Sequence, residues 1–417
     1  MSCTPWTPPS LLKLHHSSFP QKKKFLCCSL HGDPKSDAVT STLPRLLLHD
    51  SLDAAGIDTL HARAAREEFC RQIKRMTAID AETSITISRG PDLARAVLNV
   101  GAEDDSLVSH SSVPLPVDAF IDRLDDLSMG FCSTYMPPSS APPEVYIDNL
   151  ERYLYIHKGF RRSNAMLDAR TLYLHSALTC RSGSVDMLSL IYSEMLKMLR
   201  ICCFLEFDVE IYFPHDLDSL PRGYRKQKSK LSDEHHIMTS KSLLVRILTN
   251  LKEAFWPFPY DHSSNLFLRA MRAANHMYGP GSVGEMYSRT HNNVSGLEIA
   301  SAKAAQHRLE RGVWTTARFG DMRRALAACE RLILLHDSYQ ELRDYAALLY
   351  HCGYYEDSLQ CLTMYQKSMD SQSDHVDSSK EDAVKNLMAR LNLILAEEGW
   401  NKHKISTSYW SNKYEPW

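Results

Sequence analysis

A short pattern that recurs at a fixed spacing constrains the fold of this chain most strongly. A glycine, an apolar residue two positions later and a small residue followed by leucine occur near position 320 and return 33 residues later. Glycine suits a turn between two helices because it adopts backbone angles that other residues avoid, and the small residue lets the helices approach closely. The matched positions are Gly320, Met322, Ala325, Leu326 and Cys329 with Gly353, Tyr355, Ser358, Leu359 and Leu362.

A helix-turn-helix unit of about 33 to 34 residues is typical of tetratricopeptide (TPR) repeats. In this interpretation, residues 298–317 and 339–350 are the first helices of two successive units, and residues 383–398 form a capping helix. About three repeats are generally needed for independent stability, so we expect the pair to pack on the preceding part of the chain. The alternative is a plain pair of helical hairpins.

The overall composition is close to the average of soluble globular proteins. The 417 residues are 44% apolar and 24% charged, which predicts two or three domains with a buried core. Lys and Arg (48) nearly balance Asp and Glu (50), which argues against a general binder of nucleic acids or anionic membranes. Eleven cysteines are too sparse for a disulfide scaffold. Charged residues interrupt the most apolar stretch, 188–207, so no transmembrane helix is expected.

The first 36 residues differ from the rest. They are rich in Ser, Pro and Lys and contain no acidic residue before Asp33, and no continuous apolar run of secretory type is present. This composition is typical of an organelle transit peptide, and the prolines and scarce arginines favour a plastid over a mitochondrial address. We therefore expect a protein of the chloroplast stroma. The alternative is an ordinary disordered tail.

Apolar residues at helical spacing dominate the remaining chain and predict a predominantly α fold with a small β remnant. Phe204 to Phe213 is the best strand candidate. The helical stripe of the 186–203 segment comprises Leu188, Ile191, Met195, Met198 and Cys202. The other predicted helices lie at 58–75, 118–127, 145–158, 169–179 and 240–255.

Several segments in order resemble the SirB family, whose members join a transglutaminase-like domain to a short TPR tail. Asn149-Leu-Glu-Arg-Tyr-Leu-Tyr155 with Gly159-Phe160-Arg161 is similar to its "LNRYLF…GFRGN" segment. The runs 168–174 and 181–192 resemble "DPRNSYLNEVLERRRGIPITLSLLY", and 243–252 resembles "ILLRLLRNLK". The resemblance implies a degenerate transglutaminase-like domain at 43–252, an insertion at 253–296, TPR-like repeats at 297–398 and a tail at 399–417.

The resemblance also implies where a catalytic cysteine would lie. Transglutaminase-like enzymes carry it at the start of a buried helix, where the positive helix end lowers the thiol pKa. The matching position here is Val185, which cannot act as a nucleophile. Cys180 precedes this helix, and Cys202 and Cys203 lie at its far end. Phe213-Pro214-His215 resembles the family's "PGHF" segment, which carries its histidine. His215 has no nucleophile to activate, so we predict no catalytic residue.

Other candidate sites are weak. Asp233-Glu-His-His236 lacks the spacing of a metal site, because adjacent histidines point to different faces. The basic run 222–230 has a single aromatic residue, which favours a solvated loop over an RNA-binding patch. The Gly-rich segment 279–284 contains proline and follows no strand. No metal or cofactor is predicted.

These features together predict a non-catalytic stromal scaffold that binds a protein or peptide through its TPR-like tail. The alternative is a cysteine-dependent peptidase or amidase that uses a relocated thiol such as Cys180. In the TPR interpretation, exposed residues on the first helices of the two units would bind an acidic or C-terminal carboxylate ligand; solvated helix faces are the alternative. The candidates are Lys303, His307, Arg311, Arg343 and Tyr350.

Overall fold

The computed structural model describes most of the chain after residue 43. The described residues are 44–54, 56–81, 92–109, 113–138, 140–163, 168–202, 204–205, 209–212, 219–225, 240–258, 265–276, 315–316, 320–335, 338–370 and 378–405. Over these ranges the protein is predominantly helical, which confirms the predicted mostly-α class. The transit peptide predicted at 1–36 and the residues Lys303, His307, Arg311, His215 and 233–236 lie outside the described residues.

Thirteen α-helices occur in the described ranges. They are α1 Leu48–Ala54, α2 Leu60–Ala81, α3 Leu93–Ser109, α4 Val117–Thr134, α5 Pro143–Glu151, α6 Leu174–Cys180, α7 Val185–Ile201, α8 Ser240–Phe255, α9 Leu266–His276, α10 Met322–Leu334, α11 Gln340–Cys352, α12 Tyr355–Asp370 and α13 Ser378–Ile405. A π-helical turn, Arg152–His157, continues α5, and a 3₁₀ turn, Ala169–Leu172, precedes α6.

Three short strand pairs accompany the helices in the described part of the chain. β1 Arg161–Arg162 runs parallel to β2 Ser182–Gly183. β3 Val209–Tyr212 pairs antiparallel with β4 Arg222–Arg225. β5 Thr315–Thr316 pairs antiparallel with β6 Gly320–Asp321. The strand predicted at 204–213 is therefore shorter than expected, and the first four residues of the basic run 222–230 form a strand rather than a loop.

Helix α7 is buried along its inner face and follows its predicted stripe for most of its length. Leu188, Ile191 and Met195 are fully buried, as expected from their spacing of three and four residues. The stripe fails at its end, because Met198 is only half-buried and Cys202 is an exposed residue at the helix terminus. Since α7 begins at Val185, the structure agrees with the predicted helix start.

The two glycines of the repeat both have left-handed backbone angles, but only Gly353 lies between two helices, whereas Gly320 lies between β5 and α10. Gly353 ends α11 with φ 85°. Gly320 has φ 87°, and a Cβ there would lie 2.4 Å from the carbonyl oxygen of Phe255 and 2.6 Å from that of Trp256. The small residues at the matched positions, Ala325 and Ser358, are fully buried between helices.

The TPR-like layout is only partly as expected. The predicted helix 339–350 corresponds to α11, and the capping helix predicted at 383–398 lies within α13. The predicted first helix, 298–317, lies mostly outside the described residues, but Thr315 and Thr316 at its end form a strand. That end is not helical because its backbone pairs with the segment at Gly320 that starts α10.

The segment predicted as an insertion, 253–296, contributes to the core. Its helix α9 packs directly on α11. Phe267 and Ala270 of α9 are fully buried, and Phe258 before it is nearly so. The imidazole Nε2 of His351 on α11 donates a 2.9 Å hydrogen bond to the carbonyl oxygen of Ala270. Helix α9 therefore covers one face of the predicted repeat pair.

Candidate functional site

The start of α7 is the place where the family resemblance implies a catalytic centre. Ser184 precedes the helix, and its hydroxyl accepts a hydrogen bond from the backbone N–H of Met187, as an N-terminal capping residue does. Val185 is buried, with 6% of its surface exposed. An aliphatic side chain therefore fills the position that matches the nucleophile.

Asp186, the next residue, is neutralised by helix α8. Its carboxylate accepts a hydrogen bond from the amide of Asn250 at 2.5 Å and lies 2.9 Å from Nε of Arg246. Burial raises the pKa of Asp186, against the opposing effect of Arg246. The carboxylate joins α7 to α8, so its contacts are those of a structural ion pair.

The described cysteines do not supply a thiol at this helix start. Cys180 is the exposed last residue of α6, and Cys202 is exposed at the opposite end of α7. Burial raises the pKa of Cys132 and of three more deeply buried thiols, which keeps them protonated at neutral pH. The three are Cys329, Cys352 and Cys361, and the pKa of Cys361 is about 12.

Two of the predicted partner-binding residues are described, and both are buried. Arg343 has 5% of its surface exposed and Tyr350 has 8%. The expectation that they are exposed on an open groove is therefore wrong. Helix α9 covers Arg343, whose guanidinium lies 5.1 Å from the ring centre of Phe267, a cation–π contact. Tyr350 is covered by α12 and α13: its ring centre lies 5.9 Å from that of Tyr355, and its hydroxyl accepts a hydrogen bond from Arg390 at 3.4 Å.

Arg343 belongs to a buried charge cluster at the junction of α8 and α11. It donates to the Asp344 carboxylate at 2.9 Å. Lys252 of α8 donates to the same carboxylate at 3.0 Å and to Glu341 at 2.7 Å. These partners raise the pKa of Lys252 although burial lowers it, so the ammonium stays charged. The cluster explains why cations can occupy a buried helix face here.

A second buried cluster, which sequence reasoning missed, joins the first helices to α10. Both carboxylate oxygens of Glu103 accept hydrogen bonds from Arg66, at 2.6 to 3.0 Å. Arg331 of α10 lies 3.0 Å from Glu103 and also pairs with Asp104. Glu330 pairs with Arg66 at 3.0 Å. We call the five residues Arg66, Glu103, Asp104, Glu330 and Arg331 the inner ion network.

The inner ion network is buried, and donors from outside it also reach its carboxylates. Burial raises the pKa of Glu103, but Arg331 and Arg66 outweigh it and hold that pKa well below its usual range. Glu330 accepts hydrogen bonds from the Tyr345 hydroxyl at 2.9 Å and from the backbone N–H of Leu47 at 3.0 Å. The sequence signal is the charged triplet Glu103–Asp104–Asp105, which directly follows the mainly apolar run 96–102 of α3.

A cleft with a volume of about 310 Å³ lies between α2, α3, α4 and α7. Two of its cations are paired with carboxylates. Lys197 lies 3.0 Å from Glu194 in the cleft, and Arg95 lies 2.6 Å from Asp118, which is outside the cleft. Burial raises the pKa of Glu194, against the opposing effect of Lys197. The lining residues are Glu68, Gln72, Arg75, Asp92, Arg95, Ile121, Leu124, Asp125, Glu194, Lys197, Met198 and Ile201.

The described ranges contain neither a metal-binding cluster nor a membrane-spanning helix. No group of three or more His, Cys, Asp and Glu side chains there could hold a metal ion. Among the helices of those ranges, none is both long and apolar enough to cross a bilayer.

Comparison with protein-family models, with curated proteins and with solved structures found no match. The SirB resemblance therefore stays a prediction from the quoted segments, and the geometry of the chain carries the functional argument.

Proposed function

We propose that the protein is a non-catalytic scaffold of the chloroplast stroma that binds a protein or peptide partner. It would combine a degenerate transglutaminase-like domain with a TPR-like helical tail. The observation that carries the proposal is the start of α7, where Val185 fills the nucleophile position and Asp186 is held by Arg246 and Asn250. Valine has no group that can attack a carbonyl carbon.

The state of the cysteines supports the same conclusion. A reactive thiol is partly exposed and has a lowered pKa, usually from a helix N-terminus or a neighbouring cation. The buried thiols of α10, α11 and α12 have raised pKa values instead. Cys180 is exposed but is the last residue of α6, so it does not lie at the helix start where the resemblance implies a nucleophile.

The proposal places the partner away from the face of α11 that α9 covers. Arg343 lies against Phe267 of α9, and Tyr350 contacts Tyr355 of α12 and Arg390 of α13, so a ligand could reach them only after these helices had moved. We therefore expect partner binding at an exposed surface of the assembled helices.

An activity assay with matched cysteine variants tests the proposal. The purified chain without residues 1–36 is incubated with a labelled casein and a fluorescent amine, and both hydrolysis and amine incorporation are followed. We expect neither. Iodoacetamide should modify Cys180 no faster than Cys202, which serves as a matched exposed control.

Turnover that Cys180→Ala or His215→Ala abolishes, and Cys202→Ala leaves unchanged, would overturn the scaffold proposal. That result would establish the alternative, a cysteine-dependent peptidase or amidase.

A further inference from the structure

A second cleft is smaller than the cleft between α2, α3, α4 and α7, and its charged lining residues are mainly cations. It has a volume of about 180 Å³ and lies between α4, the segment after the π-helical turn and the end of α6. We call it the basic cleft. Its lining residues are Arg123, Asp126, Leu127, Lys158, Phe160, Leu178 and Arg181.

The three cations of the basic cleft have no carboxylate partner among the described residues. Arg123 donates to the carbonyl oxygen of Leu178 at 3.4 Å, and Arg181 donates to that of Lys158 at 3.2 Å. Each guanidinium carries five N–H donors, so most of them stay available to a ligand. Asp126 also lines the cleft, and with three positive charges and one negative charge the site has a net charge of +2.

The backbone holds Arg181 in a conformation that arginine seldom adopts. Its angles, φ 54° and ψ 31°, are left-handed, and it is the one described residue other than glycine with positive φ. Glycine is the usual residue at this position after a helix. The backbone N–H of Arg161 donates to the Arg181 carbonyl oxygen at 3.0 Å and fixes the strand pair β1–β2. Strain of this kind is common where a side chain serves a ligand.

The walls between the cations are apolar. Phe160 and Leu178 are buried, with 3% and 4% of their surfaces exposed, and Leu127 is half-buried. A small inorganic anion would use only the charges of such a site. An anion attached directly to an apolar group would use the charges and the walls together.

We propose that the basic cleft binds the C-terminal carboxylate of a peptide whose last residue is apolar. The two guanidinium groups offer paired N–H donors that match the two oxygens of a carboxylate, and the apolar walls contact the last side chain. The proposal rests on the proposed scaffold function and names the ligand of that function. Its ligand chemistry is the one predicted for the TPR-like tail, but its location is the transglutaminase-like part of the chain.

Fluorescence anisotropy with the full-length protein tests this assignment. The probes are three labelled hexapeptides of otherwise identical sequence: one ends in leucine with a free carboxylate, one in leucinamide and one in lysine with a free carboxylate. We expect the leucine acid to bind about tenfold or more tightly than the amide, since a charge-assisted pair is lost. The lysine peptide should also bind more weakly.

Matched arginine variants locate the site. Arg123→Gln and Arg181→Gly should each weaken binding of the leucine acid about tenfold. Arg152→Gln, which removes an exposed arginine outside the cleft, should leave it unchanged. Inorganic phosphate at millimolar concentration should compete only weakly.

Equal affinity for acid and amide, no binding of the leucine acid at millimolar protein, or equal effects of all three variants would each overturn the proposal. Strong competition by phosphate together with equal affinity for acid and amide would assign the cleft to phosphate instead. The scaffold proposal fails only if the protein turns over casein, which the peptide-binding measurements do not test. Failure of the peptide assignment is therefore distinct from failure of the scaffold proposal.

Discussion

The inner ion network and the basic cleft use the same side chains for opposite purposes. In the network, Arg66 and Arg331 are buried and paired with carboxylates from two helices, α3 and α10. In the basic cleft, Arg123 and Arg181 are exposed and donate only to backbone carbonyl oxygens among the described residues. An arginine with a full set of carboxylate partners holds the fold, whereas one without them stays available to a ligand.

This difference teaches that partners, rather than residue type, decide the role of a charge. Nothing in the local sequence around Arg331 separates it from Arg123. The carboxylates that bury Arg331 come from Glu103 and Asp104, 228 and 227 residues away along the chain. Predictions that compare the two regions therefore test the structure directly.

The largest expected effect is in the inner ion network. Arg331→Met should lower the free energy of unfolding by about 3 to 5 kcal/mol, because it leaves buried carboxylates with too few partners. Urea unfolding followed by circular dichroism measures it. Arg123→Met in the basic cleft is the matched control and should change stability by about 0.5 kcal/mol or less. Similar effects of both variants would contradict the comparison.

The next effect depends on pH and reports the contact between α9 and α11. Burial lowers the pKa of His351 from 6.5 to about 4, and the hydrogen bond to the Ala270 carbonyl only partly opposes this. The unfolded chain therefore takes up a proton at higher pH than the folded one. The stability that neutral His351 contributes is complete above pH 6.5 and should fall by about 3 kcal/mol as the pH drops to 4.

His351→Gln provides the control for that measurement, since its amide can still donate to Ala270 but does not titrate. Unfolding curves at pH 7, 6, 5 and 4 should show a smaller loss for the variant than for the natural chain. An identical pH dependence would mean that His351 is accessible to water, and hence that α9 does not cover it.

A smaller loss is expected at the predicted groove residue. Arg343→Ala should lower the free energy of unfolding by about 1 to 3 kcal/mol, because the Asp344 carboxylate loses one of its two cations in a buried site. Lys252 keeps the loss below that of Arg331→Met. Thermal unfolding of this variant beside Lys385→Ala, an exposed control on α13, measures the effect. Unchanged stability would favour the open groove that the sequence predicted.

The smallest expected effect has the opposite sign. Arg181→Gly should raise the free energy of unfolding by about 1 kcal/mol, because glycine adopts left-handed angles without strain. The same variant should bind the leucine acid more weakly. A gain in stability joined to a loss of binding would identify Arg181 as a residue kept for its ligand. A loss of stability would show that its contact with the Lys158 carbonyl outweighs the strain.

Local signals predicted much of the secondary structure. The apolar spacing of α7, its start within one residue of the predicted position and the helix-ending glycine Gly353 all followed from residues within one or two helical turns. The rules behind them concern periodicity and backbone angles, which depend on near neighbours. The strand at Arg222–Arg225 was missed because few of its residues have strong β-propensity; pairing with Val209–Tyr212 forms it.

Contacts between distant segments could not be predicted. Arg343 was expected to be exposed because arginine is rarely buried without a partner. The Phe267 ring that covers it, and the Lys252 that shares the Asp344 carboxylate with it, come close only in the folded chain. The same holds for Glu103 and Arg331. The candidate binding site is therefore the basic cleft and not the open face of the repeats. No sequence pattern predicts that the residues of the basic cleft lie together, because they come from separate elements.

The long separation within the inner ion network has a consequence for the order of events during synthesis. A ribosome adds roughly 5 to 20 residues per second, so about 10 to 45 s pass between the addition of Glu103 and that of Arg331. Through that interval α2 and α3 expose an incomplete set of charges beside apolar surface that α10 will cover. The nascent chain is most prone to misassembly in that window, and it closes only when the repeat segment arrives.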